Sequence, residues 1–236
     1  PTCAGDTMRM EMMFGTGLKM RHQNHRTVEM TGAFDGGIAT LSHGLRVGTR
    51  VASHLGWRTI DALAVGDKVL TFDHGMQDVV EIRRAHVWLD ASDTAEVFWP
   101  VVVPAGALGN REDLTLLPDQ GVMIESDAAL DMLGDPFAIV TAHSLVGLRG
   151  LHRRQPKQRV ELVAVYFEHD EVIFAEGGAL IHCPGDMSSL DKFMNAAPQT
   201  YRVLTGEQAG DLVMHITIED SLRLASCDAM YQAATA

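Results

Sequence analysis

The stretch GLRVGTRVASHLGWRTIDALAVGDKVLTFDHG, residues 44–75, decides how this chain is read. Its β-branched and small residues at 49–53 predict a short strand that ends in a turn around Gly56. A brief connection through residues 61–65 leads to a second strand over 67–72, which Asp73-His74-Gly75 closes. From Val47 onward, short strands separated by turns recur at near-regular intervals, the pattern of a sandwich or barrel-like sheet. They fall at residues 79–89, 97–103, 114–117 and 122–125, with Pro100 implying an edge or a bulge. The clearest hairpin joins 160–167 to 172–175 through Glu168-His169-Asp170-Glu171. Its first arm carries Glu161 as its one charge, as a strand buried on both faces would.

Helical signals are confined to short segments. Residues 127–133 read as a helical turn capped by Ser126 or Asp127. After Gly185 the composition changes: Asp186 or Ser188 can cap a helix through Asn195, Pro198 stops it, and residues 201–204 form one more strand. Thr205-Gly206-Glu207-Gln208 has capping-box spacing ahead of a helix at 209–216. A second helix follows at 219–234, with Leu222, Ala225, Ala229 and Met230 at helical spacing. Residues 1–40 contain six methionines and six glycines without a sustained period, which predicts a mobile arm with one short helix near residues 27–30.

The order of motifs in the opening stretch is more specific than any one of them. Gly48-Thr49 before a β-branched strand, Gly56-Trp57-Arg58, and a small-apolar run into Val65-Gly66-Asp67 and Val69-Leu70-Thr71 resemble the start of the Hint superfamily. This hedgehog/intein module cleaves or splices its own backbone. Pro104-Ala105-Gly106-Ala107-Leu108, then Leu116-Leu117-Pro118-Asp119-Gln120-Gly121-Val122-Met123, then Glu171-Val172-Ile173-Phe174-Ala175-Glu176-Gly177 follow in the family's order. The resemblance covers residues 40–185 and is strongest to bacterial Hint-domain proteins. It implies an all-β, Hint-type (hedgehog/intein) β-fold of long curved strands, with a short α-rich C-terminal extension. The domains would then be a Met-rich arm (1–40), the β-module (41–185) and the extension (186–236).

Self-cleavage needs a thiol or hydroxyl placed to attack the carbonyl just before it. In the family that nucleophile sits four residues before the Gly-Thr pair, which here is Gly44. Glycine has nothing to attack with, and the nearest hydroxyls are Ser42 and Thr49. The middle-block positions are Thr115 and Gln120, the latter where the family carries the histidine that polarises and protonates the scissile amide. Glutamine can donate a hydrogen bond but cannot shuttle a proton. The closing block, Ile181-His182-Cys183-Pro184-Gly185, has His182 and Cys183 but no asparagine to cyclise. Three missing groups imply a fold kept without its reaction, serving as a structural or interaction module. The alternative is an active self-cleaving or splicing protease whose attack comes from Ser42, Thr49 or Cys183.

The remaining constellations have ordinary explanations. His22 and His25 form an HxxH on a polar arm with no acidic or Cys partner nearby, so no metal is expected. His169 and Cys183 or His182 and Cys183 would make a thiol-imidazole pair only if the fold brought them together; the default is a buried cysteine and a turn histidine. Asp113, Asp119, Glu125 and Asp127 match no calcium loop and read as turn positions. Trp57, Trp88 and Trp99 read as core. Arg149, Arg153, Arg154, Lys157 and Arg159 read as a solvated loop around Pro156.

Three widely spaced cysteines make no disulfide framework, which favours a reducing cytoplasm. No signal peptide or run of about 18 apolar residues occurs, so neither export nor a membrane partner is expected. A net charge of −12 repels phosphate backbones, so nucleic acid is not expected either. No cofactor is implied. A protein partner, or a second copy, would be held by the arm or by the C-terminal helices.

Overall fold

The computed structural model of the protein describes residues 27–29, 41, 43–87, 94–185 and 201–235. In chain order its strands begin with β1 (Thr27–Glu29), β2 (Leu45–Arg46), β3 (Arg50–Ser53), β4 (Gly56–Thr59), β5 (Lys68–Thr71), β6 (Gly75–Asp78) and β7 (Glu81–Val87). Then come β8 (Val101–Val103), β9 (Leu114–Leu116), β10 (Gly121–Glu125), helix α1 (Asp127–Leu133), β11 (Phe137–Thr141) and β12 (His152–Arg153). The chain continues through β13 (Val160–Tyr166), β14 (Glu171–Ala175), β15 (Ala179–Cys183) and β16 (Val203–Leu204) into α2 (Gly206–Thr235). The all-β expectation with a helical C-terminal segment therefore holds.

The opening motif folds as it does because its polar residues bind its own backbone. Gly48, at φ 90°, donates its N–H to Asp61 Oδ1 at 2.8 Å. Ile60 donates to the Thr49 carbonyl at 2.8 Å. Asp67 Oδ2 accepts from the Ala64 N–H at 2.9 Å and from Arg58 Nη1 at 3.0 Å, which pins the turn into β5. Far along the chain, buried Glu176 accepts the Arg50 N–H at 2.7 Å and the same arginine's Nε at 3.2 Å, tying the Ala-Glu-Gly block to β3.

Among the described residues the strands make two sheets. One is seven-stranded, in the order β1-β7-β13-β2-β9-β8-β12; the other is nine-stranded, in the order β16-β11-β10-β15-β14-β3-β5-β6 with β4 added to β3. Alternation along each strand builds the core between them. Leu45, Leu114, Leu116, Val163 and Val165 of the first sheet share one apolar cluster with Val51, Val69, Val122, Ile173 and Ile181 of the second. The opposite face of β13, Ala164 and Tyr166, forms a separate small cluster with Leu41 and Ala85.

Several expectations change in three dimensions. The segment near residues 27–30 is a strand, β1, paired parallel to β7, and not a helix. Strand β4 lies where a turn and connection were expected, because β3 supplies a full hairpin partner. Residues 96–98 form a 3-10 turn and the strand starts only at Val101, after Pro100 removes a donor. Trp57 on β4 is 44% exposed and so is not core. Trp99 is half-buried, its indole N–H donating to the Thr94 carbonyl at 2.8 Å. The expected helix following Asp186, and Trp88, lie outside the described residues, as do His22, His25 and Ser42.

The two expected C-terminal helices are one, α2, 30 residues long. Gln208 does not close a capping box; its Oε1 accepts from Arg202 Nη2 at 2.6 Å. Within it the Thr217 hydroxyl donates to the Val213 carbonyl and the Ser221 hydroxyl to the Thr217 carbonyl, each at 2.8 Å. Ala209, Leu212 and Ile216 bury one face of α2 against the main core. Past them, Asp220 takes a bidentate pair from Arg149 at 2.7 and 2.9 Å, and Arg223 reaches Asp127 at 3.0 Å. Arg149 is thus a docking residue and not part of a solvated basic loop. At α1, Ser126 accepts the Ala129 N–H as the expected cap and Gly134, at φ 79°, ends the helix.

Burial along α2 sets a contrast in stability. Leu212→Ala removes a fully buried side chain and is expected to cost about 2–5 kcal/mol by chemical denaturation. Leu222→Ala, at a position 64% exposed, is expected to stay within about 0.5 kcal/mol of wild type.

Candidate functional site

The positions singled out at residues 44 and 120 meet in the structure. Gly44, just ahead of β2, donates its N–H to Gln120 Oε1 at 2.8 Å. Gln120 is 1% exposed, and its Nε2 donates to the His182 carbonyl at 2.8 Å and the Gly121 carbonyl at 3.1 Å. The orientation of this amide is set by its neighbours. Turned over, it would place N–H against N–H at Gly44 and oxygen against two carbonyls. One side chain therefore ties the start of β2 to β10 and to β15. Its main chain is held too, the Gln120 N–H donating to Leu117 O at 3.1 Å and its carbonyl accepting from Ala142 N at 2.8 Å.

Gly44 is held in a conformation that side chains resist. Its φ is 143°, and a Cβ built on it would stand 3.3 Å from the Val163 carbonyl oxygen and 3.5 Å from the Ala164 Cβ. Strand β13 passes directly beneath. A nucleophile here would need both another residue and another backbone.

The other candidate residues do not join them. Thr115 sits on β9 opposite Val102, on the face of the strand away from buried Leu114 and Leu116, and its hydroxyl makes no hydrogen bond to Gly44 or Gln120. His182 contributes its main-chain carbonyl to Gln120, while its ring lies close to Gly121, where a Cβ would stand 2.9 Å from His182 Cβ and 3.1 Å from Nδ1. That ring faces Tyr201 edge-on with centroids 6.0 Å apart. Its Nε2 stands 4.0 Å from Asp170 Oδ2, and both atoms are buried without a hydrogen-bond partner. Burial lowers the His182 pKa, opposed by the Asp170 carboxylate, so the imidazole is neutral at pH 7.

Cys183 is buried in the main core, its Sγ 4.0 Å from the Ile181 carbonyl, and burial pushes its thiol up to about 12 with help from Glu171. His169 is exposed in the turn between β13 and β14, so the thiol-imidazole pair does not form. Thr49 is buried, 7% exposed, at the head of β3. The four carboxylates also stay apart. Asp113 accepts from the Ala105 N–H at 3.0 Å, Asp119 lies 3.5 Å from His143, Asp127 pairs with Arg223, and Glu125 is exposed at the end of β10. Among the described residues no three His, Cys, Asp or Glu side chains are grouped to hold a metal ion, and no helix is long and apolar enough to cross a membrane.

Sequence reasoning passed over His43, whose carbonyl is the one a nucleophile at 44 would attack. Its one sequence signal is adjacency to Gly44. The ring is 6% exposed and meets Tyr166 edge-on at 4.9 Å, and neither ring nitrogen has a hydrogen-bond partner. Burial, with His182 and Arg83 nearby, lowers its pKa from 6.5 to about 4.

Two outcomes follow from this geometry. Gly44→Cys puts a thiol at the family's position but strains the backbone, so thermal unfolding should show a loss of about 1–3 kcal/mol and mass spectrometry no cleavage. His43 makes stability depend on acid. The unfolded chain binds its proton near pH 6.5 and the folded one only near 4, so stability is complete above 6.5 and is lost as pH falls toward 4. The loss from this group reaches about 3 kcal/mol, and His43→Phe should flatten that part of a denaturation-versus-pH profile.

Comparison with known proteins gives these positions a context. No match was found among curated proteins. Among solved structures, an intein-like domain from Clostridium thermocellum is similar at 14% identity and a TM-score of 0.41, covering 59% of this chain and 97% of that one. The AceL NrdHF class 3 split intein is similar at 13% identity and 0.40, covering 61% and 99%. The MchDnaB-1 intein is similar at 16% identity and 0.37, covering 58% and 98%. The family model described as the Hint domain matches residues 43–180, from the residue before Gly44 to the middle of β15. That match spans more than half of the chain and takes in both partners of the Gly44–Gln120 hydrogen bond, and the chain belongs to the Hint domain family.

Proposed function

We propose that this Hint domain no longer cleaves or splices its own backbone and acts as a structural or interaction module. The observation that carries the reading is the direction of the hydrogen bond at the junction. Breaking the His43–Gly44 peptide requires a proton to reach the Gly44 nitrogen as it leaves. At that nitrogen the protein presents the Oε1 of Gln120, an acceptor, while the two Gln120 protons that could be donated are committed to the Gly121 and His182 carbonyls. The arrangement stabilises the intact amide and offers nothing to the departing amine.

The nucleophile side of the reaction is equally unsupported. Gly44 has no reactive atom, and the buried Cys183 thiol, held near 12, is protonated at neutral pH and poorly nucleophilic. A hydrophobic environment that raises a thiol's pKa opposes attack as effectively as distance does. Neither imidazole near the junction is an activated base with a bound partner, since both His43 ring nitrogens and His182 Nε2 lack a hydrogen-bond partner.

A reporter protein fused upstream of residue 1 tests this directly. The intact mass of the fusion should be unchanged over days at pH 7, with or without dithiothreitol. A fragment ending at His43, accumulating faster with thiol, would show an active autoprocessing protease instead.

A further inference from the structure

The described residues upstream of Gly44 pack against the two-sheet body. Leu41 is 6% exposed and clusters with Ala85, Ala164 and Tyr166 on the outward face of the seven-stranded sheet. His43 lies on the same Tyr166, which also meets the Arg83 guanidinium, 4.2 Å from the ring centroid. Further upstream, β1 runs parallel to β7, with Thr27 opposite Arg84, Val28 opposite Ala85 and Glu29 opposite His86. The two anchors converge on one residue: Ala85 is the strand neighbour of Val28 and the packing neighbour of Leu41.

This convergence has the chemistry of a peptide groove. Without β1, β7 would be the edge of its sheet, a seven-residue strand whose outward-pointing main-chain donors and acceptors, at alternate residues, are unpaired. An added strand satisfies such an edge whatever its sequence, and specificity comes from pockets for alternate side chains. Beside that edge, Ala85, Ala164 and Tyr166 cluster with one apolar side chain from upstream, Leu41.

We propose that the β7 edge, together with the patch of Ala85, Ala164 and Tyr166, is a binding groove for an extended peptide, and that its occupant is this chain's own upstream part, Thr27–Glu29 at the edge with Leu41 and His43 on the patch, bound in cis. The segment is then a tethered ligand of the domain. Breaking the chain at the junction would leave it seated, and a second copy of the segment competes only when the tethered one is loosened. The assignment stands whether or not the junction is inert.

Hydrogen exchange on the full-length protein reads the groove directly. Amides in residues 27–29 and 41–43 should exchange on the order of tenfold or more slowly than in the free synthetic segment; exchange at free-chain rates would overturn the proposal. A full-length variant carrying Leu41→Asp and His43→Ser frees the groove without touching its walls. By fluorescence anisotropy it should bind a labelled peptide of residues 24–43 at least about tenfold more tightly than wild type, whose groove is filled. Equally weak binding to both proteins, with circular dichroism unchanged, would sink the idea, and a dimer formed by exchanged arms would overturn binding in cis. Should the variant fail to fold, the exchange rates of the wild-type protein decide alone.

Discussion

One buried amide holds the centre of this molecule. Gln120 reaches from the turn before β10 to Gly44 on one side and to β15 on the other, so its three hydrogen bonds join segments 76 and 62 residues away in sequence. Buried polar groups are costly when unpaired, and both the oxygen and the nitrogen of this amide are hydrogen-bonded. The sheets on either side are aligned through it. The start of β2 enters the seven-stranded sheet, while β10 and β15 belong to the nine-stranded one.

The same bond determines what the junction presents. A family built to cut a peptide at this point requires a nucleophile, a proton donor to the leaving nitrogen and a dry enclosed space. The space is present: Gly44 lies against β13, Gln120 is buried, and His43 and His182 are enclosed. Residue 44 carries only hydrogen as its side chain, and the Gln120 amide turns its oxygen toward the Gly44 N–H. Enclosure of unpaired imidazoles is tolerable only because burial keeps them neutral, which is also why both have depressed pKa values.

Much of the fold was legible in the chain. The two opening strands, the hairpin of β13 and β14 and the cap at Ser126 follow from β-branched runs, turn residues and a serine at the right offset. Strand β4, with its glycine, tryptophan and arginine, has no alternation to read; it is a strand because β3 offers it a ladder. The C-terminal helix reads in the sequence as two periodic stretches, 209–216 and 219–234; in the structure it is continuous, with the Thr217 and Ser221 hydroxyls bonding back to their own helix. The site was half visible. The positions of Gly44 and Gln120 could be counted from the Gly-Thr pair and the middle block, but Thr115 and Cys183 had equal standing in the sequence and neither takes part.

What the amino-acid sequence determined by itself is composition at each position: that residue 44 has no reactive side chain, that residue 120 cannot relay a proton, and that alternating apolar residues will form strands. These are chemical properties of single residues and short periods, and no fold can alter them. Only the tertiary structure decided which of those residues meet, because contacts between positions more than sixty residues apart depend on how two sheets register against each other. It set the Gln120 oxygen toward the Gly44 amide, sealed the Cys183 thiol in the core, and seated Leu41 and His43 on Tyr166, each of them a matter of burial and direction that the order of residues leaves open.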